Sequence, residues 1–259
     1  MLEAIKKQRK VVRALILREM KTRFGNRRLG YLWSLIEPVI HVMFFILLWK
    51  IFGRLGPHRM PPEVFLISGI VPFFMFRNTL SSVMNSIKSN RALLVFPQIN
   101  MLDFSIARAL LELYTYTIIF IAMMVGASLI GIEYELNDIL GAMKIFLVMW
   151  LLGFGIGLFL LPVAALFPVV DTIVAILIRV MYLISGVIFS IDRIPPKYYD
   201  YISWNPVLHC IQLFRSELLT GINAKDEFSN LPYVLGVTGI LFLAGLVLQK
   251  RLNRFILTS

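Results

Sequence analysis

The chain has 259 residues, 58% of them hydrophobic and 16% charged, against roughly a quarter charged in a soluble globular domain. That balance excludes a water-soluble fold and assigns most of the surface to lipid. The net charge of +11 does not point to nucleic acid, because residues 1–28 alone hold ten Lys and Arg against two Glu, and a basic cluster flanking an apolar run sets membrane orientation and attracts anionic lipid.

Taken in chain order, residues 1–28 read as an interfacial helix, with Ile5, Val12, Leu15 and Ile16 on one arc and Lys6, Arg9, Lys10 and Arg13 beside or across from them. Glu19 interrupts the arc, which leaves a plain solvated basic helix as the alternative. Apolar runs follow at about 31–52, 64–87, 106–131, 142–167, 172–191 and 232–249, each near the ~20 residues that cross a hydrocarbon core. The first run lacks a small-residue cleavage site and reads as a retained span. Lys250, Arg251 and Arg254 follow the last run, while the loop after the third carries Glu133, Glu135 and Asp138 without a base. Basic ends therefore face the cytosol and the acidic loop faces out. The expected fold is all-α: a polytopic membrane protein with six transmembrane helices, an N-terminal interfacial helix and short external re-entrant helices. No internal repeat divides it, so residues 1–259 form one transmembrane domain, with a cytosolic tail at 250–259.

Two connectors stand out. The cytosolic stretch from Lys88 to Asp103 contains Asn90, Arg91, Leu93, Leu94, Phe96 and Pro97; Asn90 can cap a short helix that Pro97 ends. Its apolar residues have no core of their own, which suits a protein partner, a connector tucked against the spans being the alternative. On the outer side, about 40 residues separate spans five and six, too many for an unstructured link. Ile194-Pro195-Pro196 is a stiff turn, Tyr198, Tyr199, Tyr201 and Trp204 suit a headgroup interface, and Asn205-Pro206 reads as N-cap and first residue of a helix over Val207 to Thr220, with Gly221 as its stop.

Catalytic motifs are missing: there is no phosphate-binding Gly-rich loop, no His-Glu-x-x-His and no Gly-x-Ser-x-Gly elbow. The single Cys210 excludes an internal disulfide, and His41, His58 and His209 have no metal-ligand spacing. The chain is thus expected to bind no cofactor and not to be an enzyme alone. Gly153 and Gly157 in span four form a small-xxx-small pair for close helix packing. Charges in or near spans, at Glu37, Arg77, Arg108, Glu112 and Arg179, need partners or a wet path. Arg108 and Glu112 are spaced to pair on one helix face, whereas Arg179 has no local acid and suits either an aqueous cavity or an ion pair, for instance with Glu37. Aromatic side chains offer faces to sugar rings, although burial is their commoner use; Phe73, Phe76, Arg77, Arg179 and Tyr182 are the candidates for a translocation path.

Three stretches together carry a family resemblance: Arg23-Phe24-Gly25-Asn26-Arg27-Arg28-Leu29-Gly30-Tyr31-Leu32-Trp33-Ser34-Leu35-Ile36-Glu37-Pro38, then Gly69-Ile70-Val71-Pro72-Phe73-Phe74 with Asn85-Ser86, and Trp204-Asn205-Pro206-Val207-Leu208-His209. In order and spacing the chain resembles the membrane subunit of type-2 ABC exporters for bacterial polysaccharides. The resemblance implies a homodimer in the bacterial inner membrane, each subunit bound to a separate ATPase chain that uses ATP and Mg, with a lipid-linked polysaccharide as cargo. It implies a cargo entrance at Leu29, Gly30, Tyr31 and Trp33, a coupling helix at Asn90 to Pro97 seated in the ATPase, and an external gate at Tyr198, Trp204, Asn205 and Pro206. Glu37-Pro38 followed by His41 is most similar to the capsule-export branch of Gram-negative bacteria, since many O-antigen and teichoic-acid homologues have Asn before that proline. This branch implies a periplasmic co-polymerase and an outer-membrane exporter as further partners. A drug or lipid efflux permease of the same superfamily is the alternative, and an ion-coupled secondary transporter is a more distant one, having only Glu37 and Glu112 as intramembrane acids.

Overall fold

The computed structural model describes residues 2–24, 30–52, 60–90, 100–191, 194–222 and 224–258, with side chains at 8–21, 36–52, 60–90, 100–191, 194–222 and 224–251. Among these residues the fold is helical: α1 (Leu2–Phe24), α2 (Gly30–Ile51), α3 (Pro62–Met84), α4 (Met101–Leu129), α5 (Ile139–Leu166), α6 (Val169–Ile184), α7 (Tyr199–Ile202), α8 (Pro206–Leu218) and α9 (Leu231–Thr258). Helices α3, α4, α5 and the segment Asp226–Arg251 are long and apolar enough to cross a membrane.

The core is a slab of α3, α5 and α9, closed on one side by α4. Helix α3 is buried almost throughout, from Val64 to Phe76. Glycines let α5 approach both neighbours, as the small-xxx-small spacing predicts: a Cβ at Gly153 would lie 2.7 Å from the carbonyl oxygen of Phe76, and one at Gly157 would lie 2.9 Å from that of Leu80. On the other face a Cβ at Gly245 of α9 would lie 2.8 Å from backbone atoms of Leu158 and Phe159. Such backbone contact replaces the hydrophobic drive that lipid cannot supply between helices.

Several boundaries differ from the apolar runs for local reasons. Helix α4 begins at Met101 rather than near 106, because Asn100 and Asp103 form a capping box in which the Asn100 N–H donates to Asp103 Oδ2 at 2.8 Å. That extra turn carries Asp103 and Phe104 out to meet α1. Helix α6 stops at Ile184, not 191, with Ser185 as C-cap and Gly186 in the left-handed region at φ +66°. Helix α8 stops at Leu218 because Leu219 forms an antiparallel bridge with Leu136 in the α4–α5 loop. There the Asn137 N–H donates to Leu218 O at 3.0 Å and the Thr220 N–H to Glu135 O at 3.2 Å.

Helix α8 lies over one end of the slab, its Phe214 ring packed 5.4 Å from Phe120 of α4 and 5.8 Å from Phe146 of α5. Helices α2 and α6 are attached more loosely. Ile40, Met43, Phe44 and Leu47 of α2 are exposed in the single chain, as are Ile173, Ile176, Leu177, Val180 and Leu183 of α6.

Candidate functional site

Three polar stations hold the outlying helices to the slab. The first joins α1, α4 and the end of α3. The arc of α1 packs on α4, with Leu15 buried against Phe104 and Ala107 and flanked by Val11, Val12 and Ile16. Glu19, the misfit in the sequence pattern, faces Arg108 instead of solvent, 3.3 Å from Nη2 and with both side chains only 14% exposed. Arg108 also donates to the carbonyls of Ser82 and Asn85 at 3.2 Å, where α3 runs out of helical partners. The ion pair found for Arg108 is thus with Glu19 rather than Glu112, which sits a turn deeper and accepts from Ser82 Oγ at 2.7 Å.

Asn90 belongs to the same station. It is 3% exposed, accepts from Arg18 Nη1 at 2.7 Å, and donates to Glu19 Oε1 and Ser86 O at 3.0 Å. The other coupling residues expected from the sequence, Arg91, Leu93, Leu94, Phe96 and Pro97, lie outside the described residues. So does Leu29 of the expected cargo entrance; Gly30, Tyr31 and Trp33 form the first turn of α2, with the side chains of Tyr31 and Trp33 outside the description. Two residues before Asn90, Lys88 forms an ion pair with Asp171 in the first turn of α6.

The second station lies between α2, α3 and α6. Glu37 Oε1 accepts from Arg77 Nη2 at 2.7 Å, so the partner of Glu37 is Arg77 and not Arg179. Arg77 also donates to Asn78 Oδ1 at 3.0 Å, and its guanidinium lies 4.2 Å from the Phe74 ring centre. Asn78 in turn donates to the Tyr116 hydroxyl. Pairing of this kind is what makes a charge tolerable at such depth. Beside it the Tyr182 ring stands 5.1 Å from Phe73 and 5.6 Å from His41, while its hydroxyl is buried without a hydrogen-bond partner among the described residues. Of the five path candidates, Phe73, Arg77 and Tyr182 come together here. Phe76 is 2% exposed and faces Gly153 of α5. Arg179 is exposed on α6, with no hydrogen bond or ion pair among the described residues.

The third station joins the end of α6 to α8 and the start of α9. Asn205 is fully buried and caps α8, its Oδ1 accepting from the Val207 N–H at 3.0 Å while Nδ2 donates to Ser185 Oγ, the cap of α6, at 2.9 Å. Pro206 opens α8; Trp204 is 56% exposed and Tyr198 46%. His209 donates from Nε2 to Ser203 O at 2.7 Å and accepts at Nδ1 from the Asn230 N–H at 3.2 Å, a neutral imidazole joining α8 to the start of α9.

Sequence reasoning missed the centre of this station, Arg215. It is 2% exposed and without a carboxylate among the described residues, donating to Gly186 O at 2.7 Å, Val187 O at 2.9 Å, Phe65 O at 3.0 Å and Ser68 Oγ at 3.3 Å, and it lies 3.7 Å over the Phe65 ring. Gly69 makes room for it, since a Cβ there would stand 2.4 Å from Arg215 Nη2. The signal was present: Val207, Leu208, Ile211, Phe214 and Leu218 trace the apolar stripe of α8, and Arg215 falls on it.

No reacting constellation joins these stations, and among the described residues no three His, Cys, Asp or Glu are placed to hold a metal. Their geometry ties a fixed slab to outlying helices, the layout of a membrane transporter subunit. Residues 10–219 match the ABC-2 type transporter family, and the chain belongs to that family. It is 34% identical over 255 residues to the polysialic acid transport protein KpsM of Escherichia coli, with 97% of each chain covered. It is 28% identical over 253 residues to the capsule polysaccharide export inner-membrane protein CtrC of Neisseria meningitidis, covering 98% of this chain and 95% of that one. With the capsule polysaccharide export inner-membrane protein BexB of Haemophilus influenzae the identity is 27% over 247 residues, with 95% and 92% covered.

Proposed function

We propose that this chain is the permease subunit of an ATP-driven exporter that moves lipid-linked capsular polysaccharide outward across the bacterial inner membrane. The observation that carries the reading is the end-to-end likeness to capsule-export proteins of three organisms, at 97%, 98% and 95% of this chain. In this reading α2, α3, α4, α5, α6 and α9 are the six spans, α1 lies at the cytosolic interface, α7 and α8 form the external re-entrant pair, and both termini are cytosolic. Two copies pair and hold the conduit between them. The loose attachment of α2 and α6, their exposed apolar faces, and Arg179 standing without a partner among the described residues support this, because a cation on such a face belongs beside water or a second subunit rather than lipid.

The residues divide the work. A separate ATPase subunit, using ATP and Mg, binds the segment from Asn90 to Pro97 and moves it as its nucleotide sites close. Cargo enters near Leu29 to Trp33, passes the Arg77 and Tyr182 level, and leaves beneath Tyr198, Trp204, Asn205 and Pro206, where a periplasmic co-polymerase and an outer-membrane exporter receive it. Deletion of the gene, followed by antibody or lectin staining of intact and permeabilised cells, tests the assignment. Glycan trapped inside while synthesis continues is the expected result; normal surface glycan would overturn it.

A further inference from the structure

Helix α6 is held chiefly at its ends. Its middle buries only Val174 and Ile178 among the described residues, and six large apolar side chains from Val169 to Leu183 are exposed. At the outer end, Asn205 donates to Ser185, and Arg215 donates to the carbonyls of Gly186 and Val187. At the inner end, just beyond the Phe167-Pro168 corner, Asp171 meets Lys88. A helix gripped in this way moves as a rigid rod, because its own hydrogen bonds resist bending more than its sparse packing resists sliding.

The two contacts of the segment after α3 differ in kind. Asn90 is buried and fixed to α1 through Arg18 and Glu19, which makes one firm body of α1, α4 and the end of α3. Lys88 and Asp171 are half-exposed, with side chains 32% and 38% accessible. An ion pair at that exposure adds little to stability, so stability does not account for its place. One carboxylate oxygen of Asp171, Oδ1, is moreover buried without a donor among the described residues. A carboxylate left half-satisfied is ready to exchange donors when its surroundings shift.

We infer that Lys88 and Asp171 are positioning residues for transport: through this pair the movement of the coupling segment reaches α6, and α6 delivers it as a rod to Asn205 and Arg215 at the external gate. The inference rests on the reading that residues 90–97 meet an ATPase subunit. It links the cytosolic and external stations by a physical element with one breakable joint, and it assigns the joint to two residues that touch no cargo.

The test uses the full complex, with charge reversals at the joint and Leu94→Asp as a control for the coupling segment. Lys88→Glu and Asp171→Lys singly should lower surface glycan by about tenfold, the scale of a broken coupling contact, while the ATPase subunit still copurifies and hydrolyses ATP. The double variant should recover export to within about threefold of the parent, and Lys88→Arg should export normally. A contact that only supported the fold would lower assembly, hydrolysis and export together, and that result overturns the inference. So does normal export by the single reversals, or a double variant no better than they are. If Leu94→Asp loses export in those cases, the coupling reading stands and only the α6 linkage falls. If Leu94→Asp exports normally, the coupling reading fails and takes this inference with it.

Discussion

Arg215 is a buried cation whose partners among the described residues are oxygens of carbonyls and a hydroxyl, with no acid. Removing it would strand the carbonyls of Gly186 and Val187 in a dry site, while that of Phe65 keeps the Ser68 hydroxyl, and each stranded acceptor costs about 1–3 kcal/mol. Arg215→Met should therefore lower stability by about 2–4 kcal/mol, read as an earlier thermal unfolding transition of the purified protein in detergent. Arg215→Lys should recover only part of the loss, because three donors at one point cannot reproduce a planar fork. The residue scale is also where the sequence was hardest to read. Glu37, Arg77 and Arg108 stood out as costly charges, but pairing them needs the register between helices, which spacing along a single helix does not supply. Glu19 shows the same thing in reverse: an apparent flaw in the arc of α1 is the residue that meets Arg108.

At the scale of elements, the glycines of α5 set how closely the slab packs. A methyl group at Gly153 would push against the backbone of Phe76 rather than a side chain that can rotate away, so Gly153→Ala should destabilise by about 1–3 kcal/mol. Gly236 of α9 has nothing within 4 Å of a Cβ, and Gly236→Ala should leave stability unchanged or raise it by up to about 1 kcal/mol. The pair is checked by thermal unfolding side by side; equal gains would mean that helix propensity, not close approach, governs these positions. Long apolar runs made the long helices legible, four of them long and apolar enough to cross a membrane among the described residues, and the Asn205-Pro206 start of α8 was legible from its cap. The early start of α4 was encoded in Asn100 and Asp103 but hidden among other polar residues. The end of α8 depends on Leu136, 83 positions from its bridge partner Leu219, and no local signal reports such a contact.

For the whole molecule, charge distribution makes a prediction about sidedness. Glu133 in the α4–α5 loop and Lys250 near the end of α9 are both exposed, and the only native thiol, Cys210, is buried, which keeps background labelling low. With a membrane-impermeant maleimide, Glu133→Cys should react once the outer membrane is opened. Lys250→Cys should react only after the inner membrane is broken; the opposite order would invert the topology. At this scale the sequence was most informative, because family motifs and positive flanks are distributed along the entire chain. What it did not reveal was which helices form the frame and which hang from it, since α3 and α6 look alike as apolar runs and differ only in what surrounds them.

The early end of α6 has a consequence for the lipid around it. Sixteen helical residues rise only about 24 Å, several ångströms less than the ~30 Å of hydrocarbon in an ordinary bilayer. With α6 as a span in the proposed arrangement, lipid that borders it must compress to match, and a bilayer drawn thin at that edge shortens the stretch of low-dielectric barrier that a hydrated polymer has to cross.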